Sequence, residues 1–391
     1  MKTLPKISLC FFLLISTLIS CKKEHDPELI VSTGTITGKI VAANHTTPIS
    51  AATVFTTSEG RLYITHAGID GSFSLEAPAG NRHVTIQAGD GSVFRTEVDV
   101  VVTAGQTTAI AAQAVQLTQV ATLAYIAGTY DKIENILIDT MGYTATPITW
   151  AMLGDLSSIT SYDAIFIDCT SESNMTGINP ITDNNLATYV ANGGSLYVSD
   201  WAVKSLVGQH LTATTPCNIE RVGGFIPDSV LCVRKSGVIG STLNAPITSL
   251  SLQAYLNKTN IDEIVYNLTT WEQIHYLDTN FWETMVSSPT GEPLLIRTNQ
   301  YTNPSRGTVN IGNPANNGYS LVCVMGTNNQ RYTLSVNSSD AASLVANGAA
   351  MGACDNPNGS GRIYYTTFHN EPNGLIGTDI KNILQYVILN L

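Results

Sequence analysis

The chain has 391 residues, of which 13% are charged, and its formal net charge at pH 7 is −11. This length is sufficient for two domains and a sizeable core. Because no run of basic residues occurs, the sequence argues against a nucleic-acid partner.

The N-terminus has the pattern of a secretory signal peptide. Lys2 and Lys6 flank the start of an apolar run over residues 7–19, which is too short to span a membrane in the mature protein. The run ends in Leu18-Ile19-Ser20-Cys21, which resembles a bacterial lipobox. The resemblance implies cleavage before Cys21 and a lipid on that residue, with ordinary signal cleavage as the alternative. We therefore expect residues 1–21 to be a lipoprotein signal, and the protein to be anchored by lipid at the outer membrane or cell surface.

After a polar tether at residues 22–33, residues 34–118 contain short alternating segments separated by turn residues. Segments of this length and spacing predict a small antiparallel β-sandwich. Asp70-Gly71 predicts a hairpin-type turn, which makes Asp70 a turn residue rather than a metal ligand.

This segment resembles the carboxypeptidase regulatory-like (transthyretin-like) domain, which is related to carbohydrate-binding-like folds. The matching residues are Gly34-x-Ile36-x-Gly38-Lys39-Ile40, Ile49-x-x-Ala52-x-Val54, Gly68-x-Asp70-Gly71-Ser72-Phe73 and Pro78-Ala79-Gly80. The resemblance implies a structural or accessory domain. Since the segment contains no Trp and only one Tyr, Tyr63, we favour a spacer over a sugar-stacking platform.

Residues 119–391 show a different periodicity, in which apolar strand-like runs alternate with helical patterns. This order predicts an α/β domain with a flavodoxin-like, doubly wound and mainly parallel sheet. The predicted elements are strands at 123–127, 164–167, 196–198 and 362–367, and helices at 131–141, from 182, at 201–207 and in the last residues of the chain. Residues 300–358, rich in Asn, Gly, Ser and Thr, are interpreted as an insertion on the ligand-side rim.

Polar residues follow two of these strands. Ser199, Asp200 and Trp201 stand where a strand gives way to a helix, and His369 and Glu371 follow the later strand. In open α/β sheets, ligands collect at the carboxyl ends of the strands. The two stretches resemble the class I glutamine amidotransferase-like superfamily, in which a strand-to-helix elbow carries a Cys nucleophile and a later strand ends in His-x-Glu.

The resemblance implies His369 as base and Glu371 as the group that orients it, but Asp200 occupies the position of the nucleophilic Cys. We therefore favour a non-enzymatic binding or display protein. Its pocket, for a small molecule or glycan, would be formed by Ser199, Asp200, Trp201, His369 and Cys169.

Three alternatives stay open at this point. The first is a hydrolase of envelope or extracellular saccharides or amides, with His369 as general base and Asp200 and Glu371 in the catalytic set. The second is a purely structural cluster of these side chains. The third is an accessory subunit of a surface complex that uses residues 300–358 as its interface.

The other candidate residues are aromatic side chains and cysteines. Four Trp side chains could line a sugar site, although aromatic residues are more often core: Trp150, Trp201, Trp271 and Trp282. Cys217 with Cys232 and Cys323 with Cys354 are the candidate disulfides of an exported protein, and Cys169 is expected to be a buried free thiol. No metal-ligand spacing is seen, and no cofactor is implied.

Overall fold

The computed structural model describes residues 31–110, 114–210, 221–235, 242–259, 263–267, 272–298, 318–326, 329–355, 361–368, 370 and 377–391. Structural statements below refer to these residues. The predicted lipidation site Cys21 and the predicted site residues His369 and Glu371 lie outside them.

Two sheets form the N-terminal part of the chain. Its strands are β1 (Thr33–Val41), β2 (Thr53–Ser58), β3 (Arg61–His66), β4 (Ser72–Pro78), β5 (Gly80–Ala88), β6 (Phe94–Val102), β7 (Thr107–Ala109) and β8 (Val115–Gln116). One sheet has the order β4-β1-β7, with β8 also paired to β1, and the other has the order β3-β2-β5-β6. Buried side chains from both sheets, such as Ile36 and Ile86, share one core.

The Asp70-Gly71 turn forms as the sequence predicts. Gly71 has φ +79°, and a Cβ there would lie 2.2 Å from the Ile40 carbonyl oxygen, so glycine is required at this position. The Asp70 carboxylate accepts hydrogen bonds from the Ser72 amide at 3.0 Å and the Ser72 hydroxyl at 2.6 Å, which is the local bonding of a turn residue.

The next elements build the central sheet. They are β9 (Leu123–Ile126), a π-helix (Asn135–Thr140), β10 (Thr146–Pro147), a 3₁₀ turn (Trp150–Gly154), α1 (Leu156–Ile159), β11 (Ala164–Ile167), a 3₁₀ turn (Glu172–Asn174), α2 (Pro180–Ala191), β12 (Ser195–Ser199), a 3₁₀ turn (Asp200–Val203) and α3 (Lys204–Val207). The predicted helix at 131–141 is thus a shorter π-helix, yet Ile133, Ile136, Leu137 and Met141 are all buried as expected.

The remaining strands are β13 (Gln209–His210), β14 (Arg221–Val222), β15 (Leu231–Lys235), β16 (Thr242–Pro246), β17 (Glu263–Asn267), β18 (Glu272–Leu277), β19 (Trp282–Ser287), β20 (Pro293–Thr298), β21 (Tyr319–Met325), β22 (Arg331–Asn337), β23 (Ala350–Met351) and β24 (Ile363–Thr366). The remaining helices are α4 (Leu250–Leu256), α5 (Ser338–Ala346) and α6 (Thr378–Asn390). No helix in the described part of the chain is long and apolar enough to cross a membrane.

The central sheet is mixed. Its described strands have the order β10-β9-β11-β12-β24-β20-β19. The first five run parallel, whereas β20 and β19 are antiparallel additions at one edge. Both faces are covered, because Phe166 and Tyr197 pack with the π-helix and α6 while Ile165 and Leu196 pack with α2 and α3. The fold is therefore mixed α/β, with the parallel strands buried between helices.

The described part of the 300–358 region does not lie at the predicted rim. Its sheet, β22-β21-β23, packs against β2 and β3 of the N-terminal part through a small apolar core that includes Phe55, Leu334 and Leu344. Arg95 reinforces this contact, since its guanidinium donates to the Ser335 hydroxyl at 2.8 Å and stacks over the Tyr319 ring at 3.6 Å. The rim interpretation is therefore wrong for these residues, because an apolar face was available on the N-terminal sheet.

A disulfide joins Cys323 of β21 to Cys354, with a Cα–Cα distance of 4.9 Å, and this predicted pair is present. Cys232 is also disulfide-bonded, and Cys217, its predicted partner, lies outside the described residues. The first bridge links β21 to the residues that follow β23.

Buried charges at the amino end of β24 connect the N-terminal sheets, the segment after β23 and the central sheet. Arg362 donates to Asp90, in the β5–β6 loop, at 2.8 Å and to Asp355 at 3.0 Å. Arg297 of β20 approaches Asp355 at 3.5 Å and Glu283 of β19 at 2.5 Å. The Arg362 and Asp90 side chains are only 12% and 9% exposed, so solvent screens this pair weakly.

Replacing Arg362 by Leu should lower the free energy of unfolding by about 3 kcal/mol, because Asp90 would be left buried without its counter-charge. This loss is at the low end for a buried ion pair, because the Asp355 side chain is 39% exposed and water can replace part of its interaction with Arg362. Chemical denaturation measures the change. Arg61→Leu is the matched control, since Arg61 is exposed on β3.

The double variant Arg362→Leu/Asp90→Leu should recover part of the loss, because it removes both charges of the buried pair. A loss below about 1 kcal/mol for Arg362→Leu, within the range of exposed ion pairs, would contradict this account of the network.

Candidate functional site

The carboxyl ends of four parallel strands meet at one edge of the central sheet. Register brings Ile126 of β9, Ile167 of β11 and Val198 of β12 level with one another, and Ser199 pairs with Thr366 of β24. Residues that follow these strands are therefore neighbours in space, although they lie far apart in the sequence. This edge is where the sequence predicts a site.

The elbow at Asp200 has the geometry expected of a strand-to-helix corner. Ser199 is still extended at φ −113° and ψ 136°, Asp200 has φ +41°, and a 3₁₀ turn begins at once. Positive φ is strained for most L-residues, but Asp and Asn tolerate it better than others do. The structure thus preserves a tight corner at the position predicted from the sequence, with a carboxylate side chain at its apex.

Asp200, Ser199 and Cys169 are brought together, but they are closed off from solvent. Their side chains are 2%, 0% and 1% exposed. The Cys169 amide donates to the Ser199 hydroxyl at 2.8 Å, and the Cys169 thiol donates to Asp200 Oδ2 at 3.5 Å. Three predicted site residues therefore form one buried, hydrogen-bonded group.

Burial, followed by the negative charge of Asp200, raises the pKa of the Cys169 thiol. A thiol with a raised pKa carries little thiolate at neutral pH and is a poor nucleophile. Cys169 is a buried free cysteine, as expected.

The predicted aromatic candidates separate into two groups. Trp201 is half-buried at the elbow and meets the exposed Tyr130 ring edge-on at 5.8 Å. Trp150 and Trp282 are 7% and 1% exposed and belong to the core on one face of the sheet. Trp271 lies outside the described residues.

Sequence reasoning missed a buried carboxyl cluster beneath the elbow, formed by Asp131, Glu134 and Asp168. Asp131 and Asp168 are both 0% exposed. Asp131 Oδ1 accepts from the Asn370 amide at 2.9 Å, and Tyr197 donates to Asp131 Oδ2 at 3.4 Å. A signal was available, since Asp168 directly follows the apolar strand β11 and Asp131 lies in the loop after β9.

Close packing holds the two loops of this cluster together. A Cβ at Gly128 would lie 2.2 Å from the Cys169 carbonyl oxygen, so only glycine permits the approach. The Tyr130 amide then donates to that same carbonyl at 3.0 Å. Lys132 is the nearby cation, donating to the Gly128 carbonyl at 2.8 Å and lying 3.7 Å from Glu134 Oε1.

The protonation of the cluster follows from its burial. Neither carboxyl oxygen of Asp168 nor Oε2 of Glu134 meets a hydrogen-bond donor in the described part of the chain. Burial, the Asp131 charge and the facing Glu134 carboxyl raise the pKa of Asp168 well above its ordinary value. Burial also raises the pKa of Asp131 to about 7. The raised pKa favours the protonated, uncharged form of the Asp168 carboxyl in the folded state.

No family model and no curated protein sequence matches this chain. Similarities to solved structures are partial. A DUF3823 family protein from Parabacteroides merdae is 14% identical, with a TM-score of 0.18, over 24% of this chain and 49% of that one. A DUF3823 family protein from Bacteroides ovatus is 16% identical, with a TM-score of 0.17, over 23% of this chain and 45% of that one. This chain thus spans about half the length of those two proteins.

A ThuA-like protein from Bacteroides uniformis is 8% identical, with a TM-score of 0.33, over 68% of this chain and 89% of that one. TM-scores of this size support no inference about fold or function. The architecture described above rests on the strand pairing of the chain itself.

The buried carboxyl cluster should make the protein less stable as the pH rises from about 4 to about 7. Between the ordinary Asp pKa of 3.8 and the raised value of about 7 for Asp131, the folded state keeps a proton that the unfolded state has released. Asp168→Asn should flatten this dependence and raise stability at neutral pH, because it removes a carboxyl that must hold a proton to stay buried. Thermal unfolding at about pH 4.5 and about pH 7.5 measures both effects.

Asp139→Asn is the matched control, because Asp139 is exposed on the π-helix that follows the cluster. It should leave the pH dependence as in the wild type. Equal slopes for wild type and Asp168→Asn would show that the carboxyl of Asp168 is not protonated in the folded state.

Proposed function

We propose that this chain is an exported, lipid-anchored protein of the cell envelope that works by binding rather than by catalysis. In this proposal residues 119–391 are a class I glutamine amidotransferase-like domain with a degenerate elbow, and residues 34–118 are a carboxypeptidase regulatory-like domain. The observation that carries the proposal is the burial of Asp200, which is 2% exposed at the apex of the elbow.

A nucleophile has to reach its substrate, and the described elbow residues do not offer one. Asp200 accepts a hydrogen bond from Cys169, and Ser199 accepts one from the Cys169 amide. A carboxylate is also a poor replacement for a thiolate in amide transfer. These contacts favour a structural role, in which Asp200 fastens β12 to the loop after β11.

Two further observations support export. Disulfides persist in oxidising compartments, and the chain contains the Cys323–Cys354 bridge and a disulfide-bonded Cys232. The apolar run ending at Cys21 supplies the signal and the proposed lipidation site. Lipid on Cys21 would be the membrane contact of the mature protein.

The hydrolase alternative requires His369 to act on a substrate with the help of an exposed nucleophile or water. An accessory role in a surface complex requires a free interface. The described residues of the 300–358 region already pack against the N-terminal sheet, through pairs such as Thr57–Asp340 at 2.9 Å, and this favours an interface elsewhere.

A structural elbow predicts distinct effects for two substitutions of Asp200. Asp200→Asn should destabilise the protein mildly, since Asn tolerates positive φ and keeps an acceptor for the Cys169 thiol. Asp200→Ala should lose about 1–2 kcal/mol more, because Ala is strained at this φ and makes no hydrogen bond. Chemical denaturation measures both values, and native alkylation of Cys169 should be slow in the wild type.

The same variants separate binding from catalysis. Neither the full-length wild type nor Asp200→Asn should turn over amide or glycoside substrates. Turnover by the wild type that disappears in both Asp200→Asn and His369→Ala would overturn the non-enzymatic proposal in favour of the hydrolase.

Lipid anchoring is tested at Cys21. The wild-type chain expressed in a bacterial host should incorporate a labelled fatty acid and fractionate with membranes, whereas Cys21→Ala should incorporate none. Cys169→Ala is the matched control and should be labelled like the wild type. An unlabelled wild-type chain would contradict the proposed anchor.

A further inference from the structure

A cleft of about 660 Å³ lies between the N-terminal sandwich, α4, the C-terminal end of α6 and the start of β22. None of the elbow residues lines it. Its volume falls in the range of roughly 300–1,000 Å³ that small-molecule sites occupy, and such sites occur preferentially where separate structural units meet.

Small side chains create the space on the side of the sandwich. Ala51, Ala52, Ala67 and Ala88 line the cleft, and Gly89 completes this surface. Across from them Ala254 of α4 is exposed, and Leu250 at the start of α4 is 75% exposed although it is apolar. The cleft therefore presents an apolar surface with room for a ligand, rather than a packed contact.

An aromatic wall combines residues from two distant segments. The ring of His66, at the end of β3, and the ring of Tyr332, in β22, lie with centroids 5.1 Å apart and planes tilted by 35°. Aromatic rings present a large apolar surface against which the ring of a ligand can pack. The sandwich alone lacks such a platform, and Tyr332 supplies the second ring.

Hydroxyl groups border the same space. The Ser251 and Tyr386 hydroxyls are hydrogen-bonded to each other at 2.7 Å, and the Ser50 hydroxyl donates to the Tyr255 carbonyl at 2.7 Å. Each hydroxyl keeps additional acceptor capacity, so these side chains can also meet polar groups of a ligand.

The charge of the cleft lining is positive and comes from Arg331. It contains no Asp or Glu, and Arg331 forms no ion pair within the described part of the chain. Desolvation lowers the pKa of His66, which favours the uncharged imidazole at neutral pH. In a chain with a net charge of −11, a lining whose charged side chain is Arg331 favours an anionic ligand.

We propose that this cleft is a binding site for a sugar acid, that is, a hydroxylated six-membered ring bearing a carboxylate. The ring packs against His66 and Tyr332, the carboxylate pairs with Arg331, and the hydroxyls meet the Ser251–Tyr386 side. Arginine presents a planar set of donors that matches a carboxylate. The inference rests on the cleft and stands whether or not the elbow is catalytic.

Isothermal titration of the full-length chain tests the site with glucuronate, galacturonate, glucose and benzoate as probes. At least one uronate should bind more tightly than glucose, which lacks the carboxylate, and than benzoate, which lacks the hydroxyls. Arg331→Gln should weaken uronate binding by about 10- to 100-fold, the effect of losing one charged hydrogen-bonding partner. Glucose binding should not change in this variant.

Arg61→Gln is the matched control, because it removes the same charge from an exposed site on β3 that does not line the cleft. Ala254→Trp fills the cleft and should abolish uronate binding, while its thermal unfolding shows that the chain is folded. The proposal is overturned if the wild type binds neither uronate at millimolar concentration, or if benzoate binds as tightly. It is also overturned if affinity survives in Arg331→Gln or falls equally in Arg61→Gln.

Discussion

The ion network around Arg362 is the constraint on which the arrangement of the described chain depends. Arg362 directly precedes β24, the strand next to the elbow strand β12, and its partners come from the β5–β6 loop and from the segment after β23. Three regions far apart in sequence therefore meet at the amino end of the parallel strands. An apolar residue at this position would leave Asp90 buried and uncompensated, so the charges hold the N-terminal sandwich in one place. Residues Ser32–Leu391 accordingly form one compact unit.

At the opposite, carboxyl end of the sheet lie the polar groups that follow the parallel strands. Asp131, Asp168 and Asp200 all lie there, and all are buried. Burying several carboxyls is unfavourable unless they are protonated or hydrogen-bonded. Cys169 donates to Asp200, Tyr197 donates to Asp131, and the raised pKa of Asp168 favours its protonated form. The elbow keeps Asp200 at a positive φ, and its side chains are hydrogen-bonded to one another.

The sequence allowed much of this to be predicted where the signal is local. Apolar runs located β9, β11, β12 and β24, the periodicity of α6 identified its buried face, and the order of elements placed Asp200 at the correct edge. The sequence did not reveal the position of the β21–β23 sheet, because this sheet packs against Phe55, which lies more than 200 residues away in the chain. The carboxyl cluster could not be predicted for the same reason, since the pKa of Asp168 depends on its contacts with Asp131 and Glu134 in the folded chain. Periodicity along the chain carries no information about such long-range contacts.

The cleft shows how a binding surface can arise without any motif. His66, Ser251, Arg331 and Tyr386 are spread over four elements, and none belongs to a pattern with a recognisable spacing. They come together because the Arg362 network and the Phe55 core bring the sandwich against β22 and α6, leaving a gap that the sandwich lines with small residues, mostly Ala, and with His66. The sandwich is therefore more than a spacer, since it supplies one wall of the cleft. Its small residues there leave open the space into which the aromatic rings and the arginine project.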